Sequence, residues 1–308
     1  MDSATVKDNR EEWKKECERV ATAIRRRVLQ YTIRNNGGYL SQACSSAEIL
    51  ATLYMRVMNL GPSLGPRVPR PFAGVPGREN PNAFTGAEYN GPRGAHWDRF
   101  IFSPVHYALV LYATLIEVGR LGPDALDHFN QDGSTLELIG AEHSPGHEVT
   151  AGSLGQAVSQ AGGIALARKL RGDSGRVWVF MSDGEFQEGQ VWEAVAASTH
   201  YRLSNLGVYV DVNGQCCDGK IQDVMATEPL GDRLRSFGAS VREVDGHDVE
   251  KLAQAATVEE KDKPLVVLAR TDPCRGIELM RKRAPFFHYI RFKSDDERLE
   301  YEALLKNE

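Results

Sequence analysis

The stretch VWVFMSDGEFQEGQVWEAVAASTHYRLSNLGVYVDVNGQCCDG, residues 177–219, decides how the chain folds. Val177 to Met181 form an apolar run too short for a helix and rich in β-branched and aromatic side chains, which predicts a buried strand. Val191, Trp192, Val195, Ala196 and Thr199 then recur at helical spacing and predict a helix over 188–201. Leu206 to Val212 predict a second buried strand, broken by Asn213 and Gly214. Polar residues thus stand at the carboxyl ends of both strands, Asp183 on one and Asn213 on the other. In an open α/β sheet ligands bind outside those ends. A carboxylate and an amide oxygen are hard ligands of the kind Mg²⁺ takes when it keeps its other positions for water and phosphate oxygens. Gly184 lets the backbone approach a diphosphate, and the free N–H groups opening the next helix favour its charge.

The same rhythm extends outward. Helical spacing recurs over 9–33, 107–118, 156–170, 230–237 and 248–256, and short apolar runs at 241–244 and 264–269 predict further strands. The expectation is an α/β chain with a doubly wound, mostly parallel sheet flanked by helices. Its 308 residues would allow one large domain or two smaller ones. The periodic signals run on without a linker, so one diphosphate-binding domain over 1–308 is favoured. Residues 59–97 are dense in Pro, Gly, Asn and Arg and form a long loop insert of the kind that needs a functional reason. Ser45 and Ser46 read as the capped start of a helix, and 293–308 as a charged terminal helix.

Net charge of −5 leaves no electrostatic footprint for nucleic acid. The sequence has no long apolar run for a membrane span and opens on a polar segment unlike a signal peptide, so the cytoplasm is the default location. Five cysteines, an odd number without ligand spacing, argue against a disulfide framework and a zinc site.

Asp183-Gly184 followed by Asn213 at a strand end resembles the thiamine diphosphate motif, and DGEFQEGQVWEA (183–194) with DVNGQCCDG (211–219) resembles transketolases in particular. The resemblance implies the thiamine diphosphate-binding fold, with Mg²⁺ on Asp183, Asn213 and the carbonyl of Gln215, and with Gly184 and Glu185 beside the cofactor. EHSPGHEVTAGSLGQ (142–156) is similar to a second block of that family. There the carbonyl matching Gly152 accepts a hydrogen bond from the aminopyrimidine and the residue matching Leu154 packs on the ring, an orienting effect.

WDRFIFSPVH (97–106) resembles a third block, with Val105 where the family has glycine, and implies that His106 lies by the diphosphate. Taken alone, His106 reads as a helix-start or interior histidine. RTDPCRGI (270–277) resembles the tail after which a histidine meets the diphosphate and the donor; His288 fits, followed by Tyr289 instead of glycine. His143 stands for a second substrate-side histidine, on a segment shorter than usual. Glu188 and Glu193 read on their own as favourable charge near a helix N-terminus; the resemblance implies an acidic network across a subunit interface. His106, His143, His288 and Glu188 make up the implied catalytic set. One departure concerns the loop after the first helix, which in transketolases usually reads His, any residue, Gly, Gly. Asn35 holds the histidine's place here, and an asparagine cannot serve as a base.

The resemblance covers residues 15–290, whereas a full transketolase continues into a pyrimidine-binding domain that supplies the glutamate acting on the aminopyrimidine ring. The chain therefore looks like the N-terminal subunit of a split transketolase that needs a separately encoded C-terminal subunit, as an α₂β₂ assembly. Such an enzyme transfers a two-carbon ketol unit from a ketose-type donor to an aldehyde acceptor. Two other readings stay open: the diphosphate-binding subunit of a 2-oxo acid decarboxylating carboligase or dehydrogenase, and a cofactor-free paralogue. The 188–193 and 152–156 blocks favour the first reading over the second, and the intact Asp183 and Asn213 oppose the third.

Overall fold

The computed structural model describes residues 3–75, 77–81, 83–257 and 261–306, with side chains from residue 11 onward. Helices α1 (Ser3–Arg34) and α2 (Leu40–Thr52) open the chain, and α2 runs on into a π-helical turn, Leu53–Val57. After the 59–97 stretch come β1 (Arg99–Phe102), α3 (Ala108–Glu117), α4 (Ala157–Arg171), β2 (Val177–Ser182), α5 (Gly189–His200) and β3 (Leu206–Val212). A small hairpin of β4 (Gln215–Cys216) and β5 (Gly219–Lys220) precedes α6 (Ile221–Val224) and α7 (Leu230–Ser236). The chain then forms β6 (Ser240–Asp245), α8 (Val249–Ala255), β7 (Leu265–Arg270) and α9 (Asp295–Leu304).

The main sheet has the order β1-β2-β3-β7-β6, and each neighbouring pair is parallel. Parallel neighbours need crossovers, which α4, α5, α7 and α8 provide. Successive strand residues point to opposite faces. Trp178, Phe180, Tyr209, Leu265 and Val267 enter the core shared with α1, α2, α3 and α8. Val177, Val179, Met181, Val208, Val210, Val266 and Leu268 enter the core shared with α4, α5 and α7. Covering both faces is why β2, β3 and β7 read as continuous apolar runs and not as alternating ones. One position shows how tightly the first core is filled. Gly207 is the register partner of Trp178, and a β-carbon on it would lie 2.3 Å from the indole.

One sequence expectation changes, one strand is not foreseen, and one loop gains a role. β1 carries no readable strand signal, because it is only four residues long and opens on Arg99, too little for a periodicity. The helix expected to open at Ser45 and Ser46 opens instead at Leu40, so both serines are buried inside α2 and cap nothing. Leu40, Ala43, Cys44 and Ala47 continue its apolar face toward the N-terminus. The 59–97 insert is irregular as expected, yet it is tied to the body by backbone hydrogen bonds: Phe72 N to Gly133 O at 2.8 Å, Gly86 N to Glu142 O at 2.7 Å, and Gly122 N to Arg67 O at 2.7 Å. It forms a wall beside the 133–146 segment. Residues 76 and 82 of the insert, and 307–308 of the expected terminal helix, lie outside the described residues.

Candidate active site

The register pairs Ser182 with Asp211, so Asp183 and Asn213 leave the carboxyl ends of adjacent strands side by side. Asp183 is buried. Its Oδ2 accepts the Gly214 N–H at 2.8 Å, while Oδ1 is buried with no hydrogen-bond partner among the described residues. Asn213 Oδ1 accepts the Gln215 N–H at 2.9 Å. Gly214, at φ +69°, makes this tight turn without a β-carbon clash. Gln215 Oε1 is likewise buried and unpartnered.

Burial, and next the nearby Asp211 carboxylate, push the Asp183 carboxyl up to about 8. A carboxylate disfavoured by its surroundings and left with a free oxygen is the situation a bound cation relieves. The oxygen donors here suit Mg²⁺ sharing its shell with water and phosphate. Among the described residues no group of three or more His, Cys, Asp or Glu is arranged for a metal. Open space lies above Gly184, where a β-carbon would meet no heavy atom within 4 Å.

Beneath Asn213 sits Asp211, fully buried. It accepts from Ser45 Oγ at 2.5 Å, Tyr107 Oη at 3.2 Å, Thr271 Oγ1 at 2.5 Å and Asn213 Nδ2 at 3.0 Å. Sequence reasoning missed Asp211, although a residue two positions before Asn213 on a strand shares its face. Ser45, Tyr107 and Thr271 carried no such signal, since tertiary packing alone brings them there.

One wall of the crevice is aromatic. Gly38 and Ile290 bridge through backbone hydrogen bonds of 2.9 Å each way, and Gln42 Nε2 holds the His288 carbonyl at 3.0 Å. Tyr39 then meets His106 and His288 edge-on with ring centroids at 5.4 Å each, and Tyr289 at 5.0 Å. His106 and His288 are 5.1 Å apart. Burial, helped by His288, pushes His106 down to about 3; burial also lowers His288, with Asp218 opposing. Both rings are therefore neutral near pH 7, each with one donor and one acceptor nitrogen. Asn35 is exposed in the turn after α1. The chain reaches the crevice only after Gly38 has bridged to Ile290, so Tyr39 is the residue this loop delivers.

The 152–155 loop lies on the other side. Gly152, Ser153 and Leu154 are exposed, while Gly155, at φ +82°, packs on Glu188 and Val191 and donates its N–H to Glu185 Oε1 at 3.1 Å. Glu185 is fully buried; its oxygens also accept from Ser103 Oγ, Ser182 N and Ser182 Oγ. Its carboxylate thus clasps the ends of β1 and β2 to this loop instead of facing the crevice. Glu188 and Glu193 are exposed at the start of α5. His143 is buried, bonded through Nε2 to Glu137 at 2.9 Å and packed on Phe72 of the insert at 4.5 Å, with Nδ1 unpartnered. The ring contacts that join Tyr39, His106 and His288 do not extend to His143 or Glu188 among the described residues.

A parallel sheet whose adjacent strand ends carry a half-free buried carboxylate, an oriented amide and open space over a glycine defines a diphosphate-binding α/β protein. Residues 82–278 match the family described as transketolase, thiamine diphosphate binding domain, and the chain belongs to the transketolase family. It is 32% identical over 280 residues to an uncharacterized transketolase family protein of Sinorhizobium fredii, covering 90% of both chains. It is 30% identical over 292 residues to one of the subunits of an apulose-4-phosphate transketolase of Actinobacillus succinogenes, covering 94% of this chain and 96% of that one. Among solved structures, a Pichia stipitis transketolase aligns with a TM-score of 0.68 at 22% identity, over 95% of this chain and 44% of that chain. The chain spans less than half of that solved chain, and at this identity the likeness speaks for the fold. Among the described residues no helix is long and apolar enough to cross a membrane.

Proposed function

We propose that this chain is one diphosphate-binding domain acting as the N-terminal subunit of a split, thiamine diphosphate-dependent transketolase. With a separately encoded pyrimidine-binding subunit, as an α₂β₂ assembly in the cytoplasm, it transfers a two-carbon ketol unit from a ketose-type donor to an aldehyde acceptor. The observation that carries this reading is the buried, unpartnered Oδ1 of Asp183 beside the Asn213–Gln215 turn. The Actinobacillus succinogenes relative is named as one subunit of its transketolase, which supports a divided enzyme.

Asp183, Asn213 and Gln215 would hold Mg²⁺, and the space over Gly184 would admit the diphosphate. The Gly152 carbonyl and Leu154 would meet the pyrimidine end, their loop fastened by Glu185. When bound, thiamine diphosphate supplies the nucleophile and the electron sink. The neutral imidazoles of His106 and His288 donate to diphosphate or donor oxygens without adding charge. His143 would serve the substrate side by holding the Phe72-bearing insert in place, and the exposed Glu188 would face a neighbouring subunit. Tyr39 stands where the donor enters, its hydroxyl without a protein partner among the described residues, ready to hydrogen-bond a donor oxygen.

The test is to co-express the chain with its partner and screen ketose donors against aldehyde acceptors in single turnovers, with Mg²⁺ and thiamine diphosphate present. Ketol transfer without CO₂ is expected. Reaction of 2-oxo acids alone, with CO₂ released, would move the subunit to the decarboxylating carboligases.

A further inference from the structure

We infer that Asp211 is a positioning residue that fixes which end of the Asn213 amide faces the metal site and ties two segments of the aromatic wall to it. The inference rests on the reading of that site as a Mg²⁺ site. A carboxylate oxygen can only accept, so the amide nitrogen of Asn213 is the end turned toward Asp211 Oδ2, at 3.0 Å. The two hydroxyls beside it work the same way. Ser45 Oγ and Tyr107 Oη each donate to Asp211 Oδ2, which leaves their lone pairs for the second contacts they make with Asn213 Nδ2, at 3.4 and 3.2 Å. The nitrogen is therefore surrounded by acceptors. The oxygen end is held on the opposite side by the Gln215 N–H at 2.9 Å, next to the turn whose Gly214 N–H bonds Asp183. A flipped amide would set its oxygen against the Asp211 carboxylate and present N–H groups to a cation.

The donors to Asp211 come from four parts of the fold. Ser45 lies on α2, whose first turn follows Tyr39; Tyr107 follows His106; Thr271 follows β7; Asn213 follows β3. One buried anion thus registers the Tyr39-bearing helix and the His106-bearing turn against the metal-binding strand ends. Outer-shell partners that orient a ligand in this way typically matter 10–100-fold in metal affinity. The Gln215 N–H favours the same orientation from the oxygen side, and Asp211 adds the acceptor that holds the nitrogen end.

The experiment uses the full chain co-expressed with its partner and two readouts: Mg²⁺ titrated by calorimetry in the presence of thiamine diphosphate, and the thermal midpoint of the metal-free protein. Asp211→Asn keeps the volume but removes the carboxylate that holds the nitrogen end of Asn213, leaving the Gln215 N–H alone to orient the amide. The expected result is Mg²⁺ binding weakened by about 10-fold or more in a protein that, metal-free, still unfolds cooperatively, so that the loss is one of binding and not of folding. Unchanged Mg²⁺ binding in that variant, with normal binding in the wild type, would overturn the assignment of Asp211 alone. Absence of Mg²⁺-dependent cofactor binding in the wild type would overturn the reading of the site and this inference with it. Should Asp211→Asn fail to fold, Tyr107→Phe and Thr271→Val each remove one donor: weaker Mg²⁺ binding in both supports the role, and wild-type binding in both overturns it.

Discussion

The floor and the aromatic wall of the crevice are built in different ways. The floor is two adjacent strand ends in fixed register, where Asp183 and Asn213 follow directly from β2 and β3. The wall is assembled from three separate segments, around Tyr39, His106 and His288, joined by a backbone bridge and by edge-on and tilted ring contacts. A site that depends on sheet register tolerates little change in chemistry, whereas a wall made of loops can exchange side chains while keeping its shape. The floor should accordingly decide whether cofactor binds, and the wall what it acts upon.

The largest effect tests the floor. Asp183→Ala should weaken Mg²⁺-dependent thiamine diphosphate binding by about 100-fold or more, on the order of 3 kcal/mol, as read by calorimetry; retention of wild-type affinity would break the division between floor and wall. A second test concerns His147, which lies outside both regions, buried against Phe102 and Tyr112. Complete burial pushes it down to about 4 from an ordinary 6.5. Between those values the unfolded chain binds the extra proton, so its contribution is whole above about pH 6.5 and falls as pH drops toward 4. That amounts to roughly 3 kcal/mol over the interval. Denaturant midpoints measured from pH 7 to pH 4 should fall steeply in the wild type and less steeply in His147→Leu.

Gly207→Ala probes the packing under the floor. The added methyl would collide with Trp178 and should cost about 1–3 kcal/mol in chemical denaturation, with cofactor affinity lost only as stability is lost. The smallest effect belongs to the wall. Tyr39→Phe should leave cofactor affinity unchanged and raise KM for the donor by roughly 5-fold, about 1 kcal/mol for one hydrogen bond; a change in kcat alone would remove Tyr39 from donor binding.

Those two regions are also unequally legible. β2, α5 and β3 can be read to within a residue or two because the strands are buried on both faces and the helix between them keeps its period. Asp183 and Asn213 come with them. The wall is harder, since its members are distant in sequence and meet through the Gly38–Ile290 bridge and ring contacts that only the fold creates. Counting along the loop singles out Asn35, while the fold delivers Tyr39. Glu185 sits inside a recognisable motif, yet only the hydrogen bonds reveal that its carboxylate is used up by Ser103, Ser182 and Gly155. Asp211 is hidden for the opposite reason: a lone Asp in an apolar strand has no sequence partner to announce it.

The strand order carries a further consequence for how the chain matures. β7 lies between β3 and β6, although it is the last strand of the main sheet to leave the ribosome. Until Leu265–Arg270 has emerged, the apolar edge of β3 has nothing to pair with, and contacts this distant in sequence form slowly. A nascent chain stalled before that point would expose an edge prone to intermolecular pairing. Early termination should therefore be far more aggregation-prone than its loss of mass suggests.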